Sequence, residues 1–328
     1  MSALGIDLDK LPIYANVLIV VASILIIAQG AHWLVEAAAR IAKRLGVSEL
    51  VIGLTVVAFG TSAPEFAVTI TAAFKDHGDI SVGNIVGSNI FNLGFILGGC
   101  AAFRAIPTSM TLFKRDAPVL AGTSVLLLGL LGIDLRLGRY DGVVLFALLI
   151  GYLALLFKQR KDGAVPPEEL PSTVAARAPS LPRDSGLLLL GLVLVTGGSQ
   201  VLVDSATAVA RAFGVSEWVI GVTIVAAGTS APEFATTLAG VMHRRFDISA
   251  GNLIGSDIFN LLGVLGLAGM LQPVGVDPMA RYSILAMVLM VGVVLVFMRT
   301  GWRISRLEGL LLVLIALARW IFDFSTRL

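Results

Sequence analysis

The chain reads as an all-α polytopic membrane protein, with ten transmembrane helices forming two inverted five-helix repeats. Three observations carry that reading. The 328 residues are 57% hydrophobic and 14% charged, against roughly 25% charged in soluble domains, and mean hydropathy is +0.92. Apolar runs close to the ~20 residues that a bilayer core requires recur along the whole chain. The segment GTSAPEF stands at Gly60–Phe66 and again, letter for letter, at Gly228–Phe234.

In chain order the spans fall at approximately 12–39, 47–74, 80–103, 115–133, 141–157, 185–211, 215–242, 248–270, 279–298 and 304–322. The first and sixth share a weak match, GAHWLVEAA (30–38) over GSQVLVDSA (198–206). The second and seventh carry GTSAPEF inside GVSELVIGLTVVAFGTSAPEF (46–66) and GVSEWVIGVTIVAAGTSAPEF (214–234). The third and eighth align as DISVGNIVGSNIFNLG (79–94) over DISAGNLIGSDIFNLLG (247–263). The fourth and ninth show no clear match. The fifth is short, and only RYDG (139–142) against RLEG (306–309), after a one-residue slip, still relates the fifth and tenth. Between the halves, 158–184 is rich in charge and proline (KQRKDG, PPEELP) and reads as a solvated linker joining a first repeat, 1–157, to a second, 185–328.

Five spans is an odd number, so the second repeat enters the membrane upside down. When connections are assigned to alternate sides, the linker's side collects 16 basic residues, from Arg40, Lys43 and Arg44 through to Arg299, Arg303 and Arg306, out of 24. Positive charge marks the cytoplasmic side, which places the linker inside, both termini outside and the chain in the cell (inner) membrane. A net charge of +2 gives no reason to expect nucleic acid as a partner. Cys100 lies alone in an apolar run, and His32, His77 and His243 match no metal spacing. There is no HExxH and no thiol in a polar motif, so no enzyme is expected and no cofactor.

The chemistry concentrates in the repeated motifs. Pro64 has no N–H for the helix, and Gly60 permits local unwinding. The carbonyls of Ala58, Gly60 and Thr61 are therefore expected to lose helical partners, which in lipid is costly unless something else satisfies them. Glu65 adds an intramembrane carboxylate, by default a functional group. The inversion brings it opposite Glu233. Carbonyls, the hydroxyls of Thr61 and Ser62, and carboxylates form an all-oxygen cluster of the kind hard cations prefer. In the next span Asn84, Ser88 and Asn92 recur every four residues on one face, beside glycines that allow close helix approach. Asn252, Ser256 and Asn260 repeat the pattern.

Two ordered copies of G-T-S-x-P-E followed by G-N-x-x-G-S-[ND]-I-F-N resemble the alpha repeats of the cation/calcium exchanger superfamily, in its compact prokaryotic sodium/calcium exchanger form. The resemblance implies a secondary antiporter that exchanges Ca²⁺ against Na⁺ by alternating access, with both ions bound in turn at one midplane site and membrane lipid as its surroundings, a monomer sufficing. It implies Glu65 and Glu233 as central ligands, Thr61 and Thr229 as mainly backbone ligands to Ca²⁺, and Asn92 and Asn260 at the centre. Ser62, Ser230, Ser88, Ser256 and the carbonyls of Ala58 and Ala226 would build flanking Na⁺ sites. Potassium-dependent relatives carry an acid at the place of Asn260, and proton-coupled ones a GNAxE-type motif absent here. An H⁺-coupled or K⁺-involving antiporter is the alternative, and a cation channel a more distant one. One departure stands out: Asp257 occupies the position of Asn89, where it could support the ligands, carry a proton or modify the ion stoichiometry; the favoured reading places it beside the ligands, held by a neighbouring donor. Ser48–Glu49 and Ser216–Glu217 read as helix N-caps, Glu36 as a partner of Arg40, and Asp134, Asp141 and Glu308 as solvated loop charges.

Overall fold

The computed structural model describes residues 8, 11–159, 180–214 and 226–326. Helix α1 (Ile13–Leu45) ends at Gly46, whose φ of +61° lets its N–H cap the carbonyls of Ala42 and Lys43. Helix α2 (Glu49–Thr61) begins as expected at Ser48, whose hydroxyl accepts from Val51 N–H at 3.3 Å. The chain leaves the helix at Ser62 and resumes as α3 (Ala63–Phe74), bent by 50°. Then follow α4 (Gly78–Phe103), α5 (Leu112–Asp134), α6 (Arg139–Lys158) and α7 (Leu181–Ala212). The second half continues with α8 (Ala226–Thr229) and α9 (Ala231–Met242), then α10 (Phe246–Leu271), α11 (Ala280–Arg299) and α12 (Arg306–Thr326). Among the described residues, seven helices are long and apolar enough to cross a membrane, and the bent α2–α3 pair makes an eighth. Ser216–Glu217 and most of the linker, 160–179, lie outside the described residues. Helix α7 starts at Leu181, inside the stretch expected to be linker. Pro182 falls in its first turn, where no intrahelical N–H is needed, and Asp184 is buried against Arg40 at 2.7 Å.

Two short strand pairs fix the relation between the repeats. Strand β1 (Ile106–Pro107) precedes α5 and β2 (Arg136–Leu137) follows it; β3 (Val274–Gly275) precedes α11 and β4 (Arg303–Ile304) follows it. β1 pairs antiparallel with β4, and β2 with β3. The start of α5 therefore lies beside the end of α11, and the reverse holds at the opposite face, so these equivalent helices run antiparallel against each other. That is the inverted repeat seen directly. The register keeps the one-residue slip of RYDG over RLEG: Ile106 pairs with Ile304 while Val274 pairs with Leu137.

The core divides in two. One cluster draws its buried side chains from α2 through α6 and α9 through α12, including Leu54, Ile85, Leu93, Leu120, Ile258, Leu261 and Leu312, with none from α1 or α7. The other is built around α1 and α7, with Ala31, Leu34, Val35, Leu188 and Val195. These two long helices cross where Gly30 faces Gly191: a Cβ on Gly191 would lie 2.7 Å from the Gly30 carbonyl oxygen. Helices α4 and α10, which carry the asparagine motifs, form the centre of the larger body.

Candidate cation site

Each GTSAPE break turns a serine across the molecule. Ser62 and Ser230 stand at the N-cap positions of α3 and α9, yet neither hydroxyl caps its own helix. Ser62 Oγ instead donates to Glu233 Oε1 at 3.2 Å, and Ser230 Oγ donates to Glu65 Oε1 at 3.2 Å. Both glutamates are completely buried, and each keeps its second oxygen, Oε2, without a donor among the described residues. Two other buried acids differ: Asp116 is held by Arg115 at 2.8 Å and by the Tyr152 hydroxyl at 3.0 Å, and Asp184 by Arg40, whereas the buried Asp257 has only an amide donor. Among the described residues that are buried, none is Lys, Arg or His. Two carboxylates in such a place call for a cation or a proton, because burying an unpaired charge is prohibitively costly.

The expected freeing of the Ala58 carbonyl is not what the structure shows. The bend comes after Ser62, so Ser62 N–H still bonds Ala58 O at 3.1 Å. That carbonyl also accepts from Thr61 Oγ1 at 3.3 Å and Ser256 Oγ at 3.4 Å. Thr61 Oγ1 reaches Asn252 Oδ1 at 3.1 Å as well, so α2 of one repeat and α10 of the other share a cluster of oxygens. Ser88 instead turns back onto its own helix, donating to Asn84 O at 2.7 Å.

Asn92 opens the π-helical turn Asn92–Leu97 and Asn260 is the second residue of the turn Phe259–Val264, and neither asparagine is exposed. Asn92 Nδ2 donates to Asp257 Oδ1 at 2.9 Å, and Asn260 Nδ2 to Asn89 Oδ1 at 3.3 Å. These equivalent bonds tie α4 to α10. The expectation that Asp257 is held by a neighbouring donor is met, and the donor is Asn92 from the other repeat.

With that geometry in hand, comparison with known proteins is decisive. A family model described as sodium/calcium exchanger protein matches residues 15–158 and 185–322, stopping and restarting at the linker. The chain belongs to the sodium/calcium exchanger family. This exchanger is 36% identical to a putative antiporter, CaxA, of Alkalimonas amylolytica over 95% of its own length and 99% of the relative's. It is 31% identical to the sodium/calcium exchanger MaX1 of Methanosarcina acetivorans, over 93% and 97%. Among solved structures, the sodium-calcium exchanger NCX_Mj superposes with a TM-score of 0.82 at 30% identity, covering 97% of this chain and all of that one.

In this exchanger the structure gathers Glu65, Glu233, Ser62, Ser230, Thr61, Ser256, Asn92, Asn260 and the Ala58 carbonyl into one buried region. Ser88 lies at its edge, Thr229 is partly buried at the end of α8, and Ala226 begins that helix. Sequence reasoning missed Thr69 and Thr237, which accept from Asn84 Nδ2 at 3.0 Å and Asn252 Nδ2 at 3.2 Å. The signal was available: they are equivalent in the two repeats and lie one helical turn beyond each glutamate. It also missed the contact of His32 with His243, 2.9 Å between ring nitrogens, joining α1 to the end of α9. Asp141 and Glu308 are caps rather than free loop charges, accepting from Gly138 N–H at 2.8 Å and Ser305 N–H at 2.7 Å. Asp134 likewise accepts from Arg136 N–H at 3.1 Å.

Proposed function

We propose that this exchanger moves Ca²⁺ across the membrane against Na⁺ by alternating access, binding both ions in turn between Glu65 and Glu233. The observation that carries the reading is the reciprocal pair of buried carboxylates, each held by the other repeat's serine and each with an oxygen to spare. Two carboxylates give a site charge near −2, which one Ca²⁺ neutralises and which several Na⁺ can share. If both ions need the same carboxylates, one excludes the other, and exchange follows. The flanking oxygens would come from Thr61, Thr229, Ser62, Ser230, Ser88 and Ser256, with the carbonyls of Ala58 and Ala226, and from Asn92 and Asn260 at the centre. Movement of α1 and α7 against the larger body would open the site to one side and then the other, as inverted-repeat carriers do. The excess of basic residues on the linker side supports a cytoplasmic linker and outward termini in a multi-pass inner-membrane protein. A single chain contains the whole site, which supports a monomer as the transporting unit.

The test is Ca²⁺ uptake into proteoliposomes under imposed Na⁺, K⁺ and H⁺ gradients separately. A Na⁺ gradient should drive uptake in the native protein and fail to do so in Glu65→Gln and in Glu233→Gln. Full activity in both variants would sink the assignment, and uptake driven by H⁺ alone would replace the counter-ion.

A further inference from the structure

Away from the glutamates, a pair of histidines joins α1 to the larger body. His32 on α1 and His243 at the end of α9 bring Nδ1 of the first to 2.9 Å from Nε2 of the second, with ring centroids 4.6 Å apart. The outer nitrogen of His243 is fixed: Nδ1 lies 2.7 Å from the Ala239 carbonyl oxygen, which can only accept. In the neutral ring Nδ1 therefore carries the proton, and the lone pair of Nε2 faces His32. A backbone carbonyl on the outer nitrogen is the arrangement that orients metal-binding histidines. Neither ring is buried, His243 being exposed and His32 half-buried, so an ion can reach the pair. Two imidazole nitrogens on a tetrahedral Zn²⁺, each at roughly 2.0–2.1 Å, stand about 3.3–3.4 Å apart. The rings would have to part by only about half an ångström. His32 frees the lone pair of Nδ1 by carrying its proton on Nε2, a change of tautomer that releases no proton.

We propose that His32 and His243 form a site for a divalent transition-metal ion of the kind imidazole suits, Zn²⁺ or Ni²⁺, and that the bound ion fastens α1 to α9 and arrests exchange. Nitrogen donors set this site apart from the all-oxygen cluster, because hard cations such as Ca²⁺ take oxygen ligands. The metal therefore acts without competing for the place of the cargo. No third His, Cys, Asp or Glu completes a ligand set among the described residues, so water fills the remaining positions and the ion is held reversibly. The inverted repeat does not duplicate the site: Gln200 and Lys75 stand at the equivalent positions and offer no imidazole. The site belongs to the linker side alone. Its blocking role rests on the reading of α1 as a moving element; its ability to bind metal does not.

Binding and transport test the two halves separately. In purified full-length protein in detergent, with Ca²⁺ saturating so that the glutamates are filled, equilibrium binding of radiolabelled Zn²⁺ should reach one ion per protein. His32→Gln and His243→Gln should each weaken it by more than the roughly tenfold that loss of a ligand's outer partner costs. Cu²⁺ at the same site should show coupling to two imidazole nitrogens by electron paramagnetic resonance. In proteoliposomes, Zn²⁺ should lower the maximal rate of Na⁺-driven Ca²⁺ uptake and leave the half-saturating Ca²⁺ concentration unchanged. Both variants should exchange normally and lose that sensitivity. The proposal would be overturned by no Zn²⁺ bound beside Ca²⁺, by unchanged binding in both folded variants, or by inhibition that added Ca²⁺ relieves, which would put the ion at the glutamates. Zn²⁺ bound through both histidines with exchange undiminished would instead refute the movement of α1 against α9, and the arrest with it, while the metal site stands.

Discussion

Ser62 and Ser230 sit where a helix start ordinarily uses a serine to satisfy its own backbone N–H groups, and both spend their hydroxyls on the opposite repeat. A hydroxyl can donate to the carboxylate or turn its lone pairs to an arriving cation. Removing it takes a hydrogen bond to a charged group, worth about 1.5–3 kcal/mol. Ser62→Ala and Ser230→Ala are accordingly expected to raise the half-saturating Na⁺ concentration by about tenfold, with a smaller effect on Ca²⁺, measured as the ion dependence of uptake in proteoliposomes. Equal shifts for both ions would mean that the serines only position the glutamates. Thr69 and Thr237 act one step further out, by holding Asn84 and Asn252. Thr237→Val should lower the maximal rate severalfold while leaving the fold intact, because Asn252 also anchors the Thr61 hydroxyl; an unaltered rate would deny it a positioning role.

Among the elements, the faint RYDG and RLEG motif turns out to be structural. Its acid reaches back to the N–H that precedes the helix, at Gly138 and at Ser305, and its glycine is the point of closest approach to the central helices. A Cβ on Gly142 would lie 2.4 Å from Met270 N and 2.5 Å from Gly266 O; one on Gly309 would lie 2.5 Å from Ala102 N and 2.6 Å from Gly98 O. Both contacts are backbone, so the helices must part. Gly142→Ala is expected to destabilise by about 1–3 kcal/mol, seen as a lower melting temperature in detergent. Gly151→Ala, on the same helix with nothing within 4 Å among the described residues, should be neutral or stabilising by up to about 1 kcal/mol. The π-helical turns at Asn92 and Asn260 belong to this scale too. Each adds a residue to the turn and re-aims its asparagine, a device often found at functional sites.

At the scale of the whole molecule, the separation of the core into two clusters supports motion between them. Helices α1 and α7 cross each other at glycines and contribute nothing to the core of the larger body. The strand pairs β1–β4 and β2–β3, by contrast, clasp that body at both faces. Cysteines replacing Pro107 and Arg303 face each other across β1 and β4, and Cys100 is buried and out of competition. A disulfide there should leave exchange intact. Cysteines at His32 and His243, bridged by a short bifunctional reagent, would pin α1 to α9 and should abolish exchange, with recovery on cleaving the bridge. Exchange surviving that bridge would show that α1 does not need to move.

Much of this architecture is legible without coordinates, for a definite physical reason. Lipid admits few solutions to backbone hydrogen bonding, so hydropathy alone locates the helices, and an odd number of spans per repeat dictates inversion. Acids, prolines and glycines are expensive in a membrane and stand out there, which is why Glu65 and Glu233 announce themselves. Contacts between the repeats were not legible. That Ser62 serves Glu233 and not its own helix, that Ala58 keeps its backbone bond, and that Asn92 from one repeat meets Asp257 from the other depend on the crossing of α4 and α10 and on local π-helical turns. Sequence spacing orders side chains along one helix; only packing decides which face of another helix they meet.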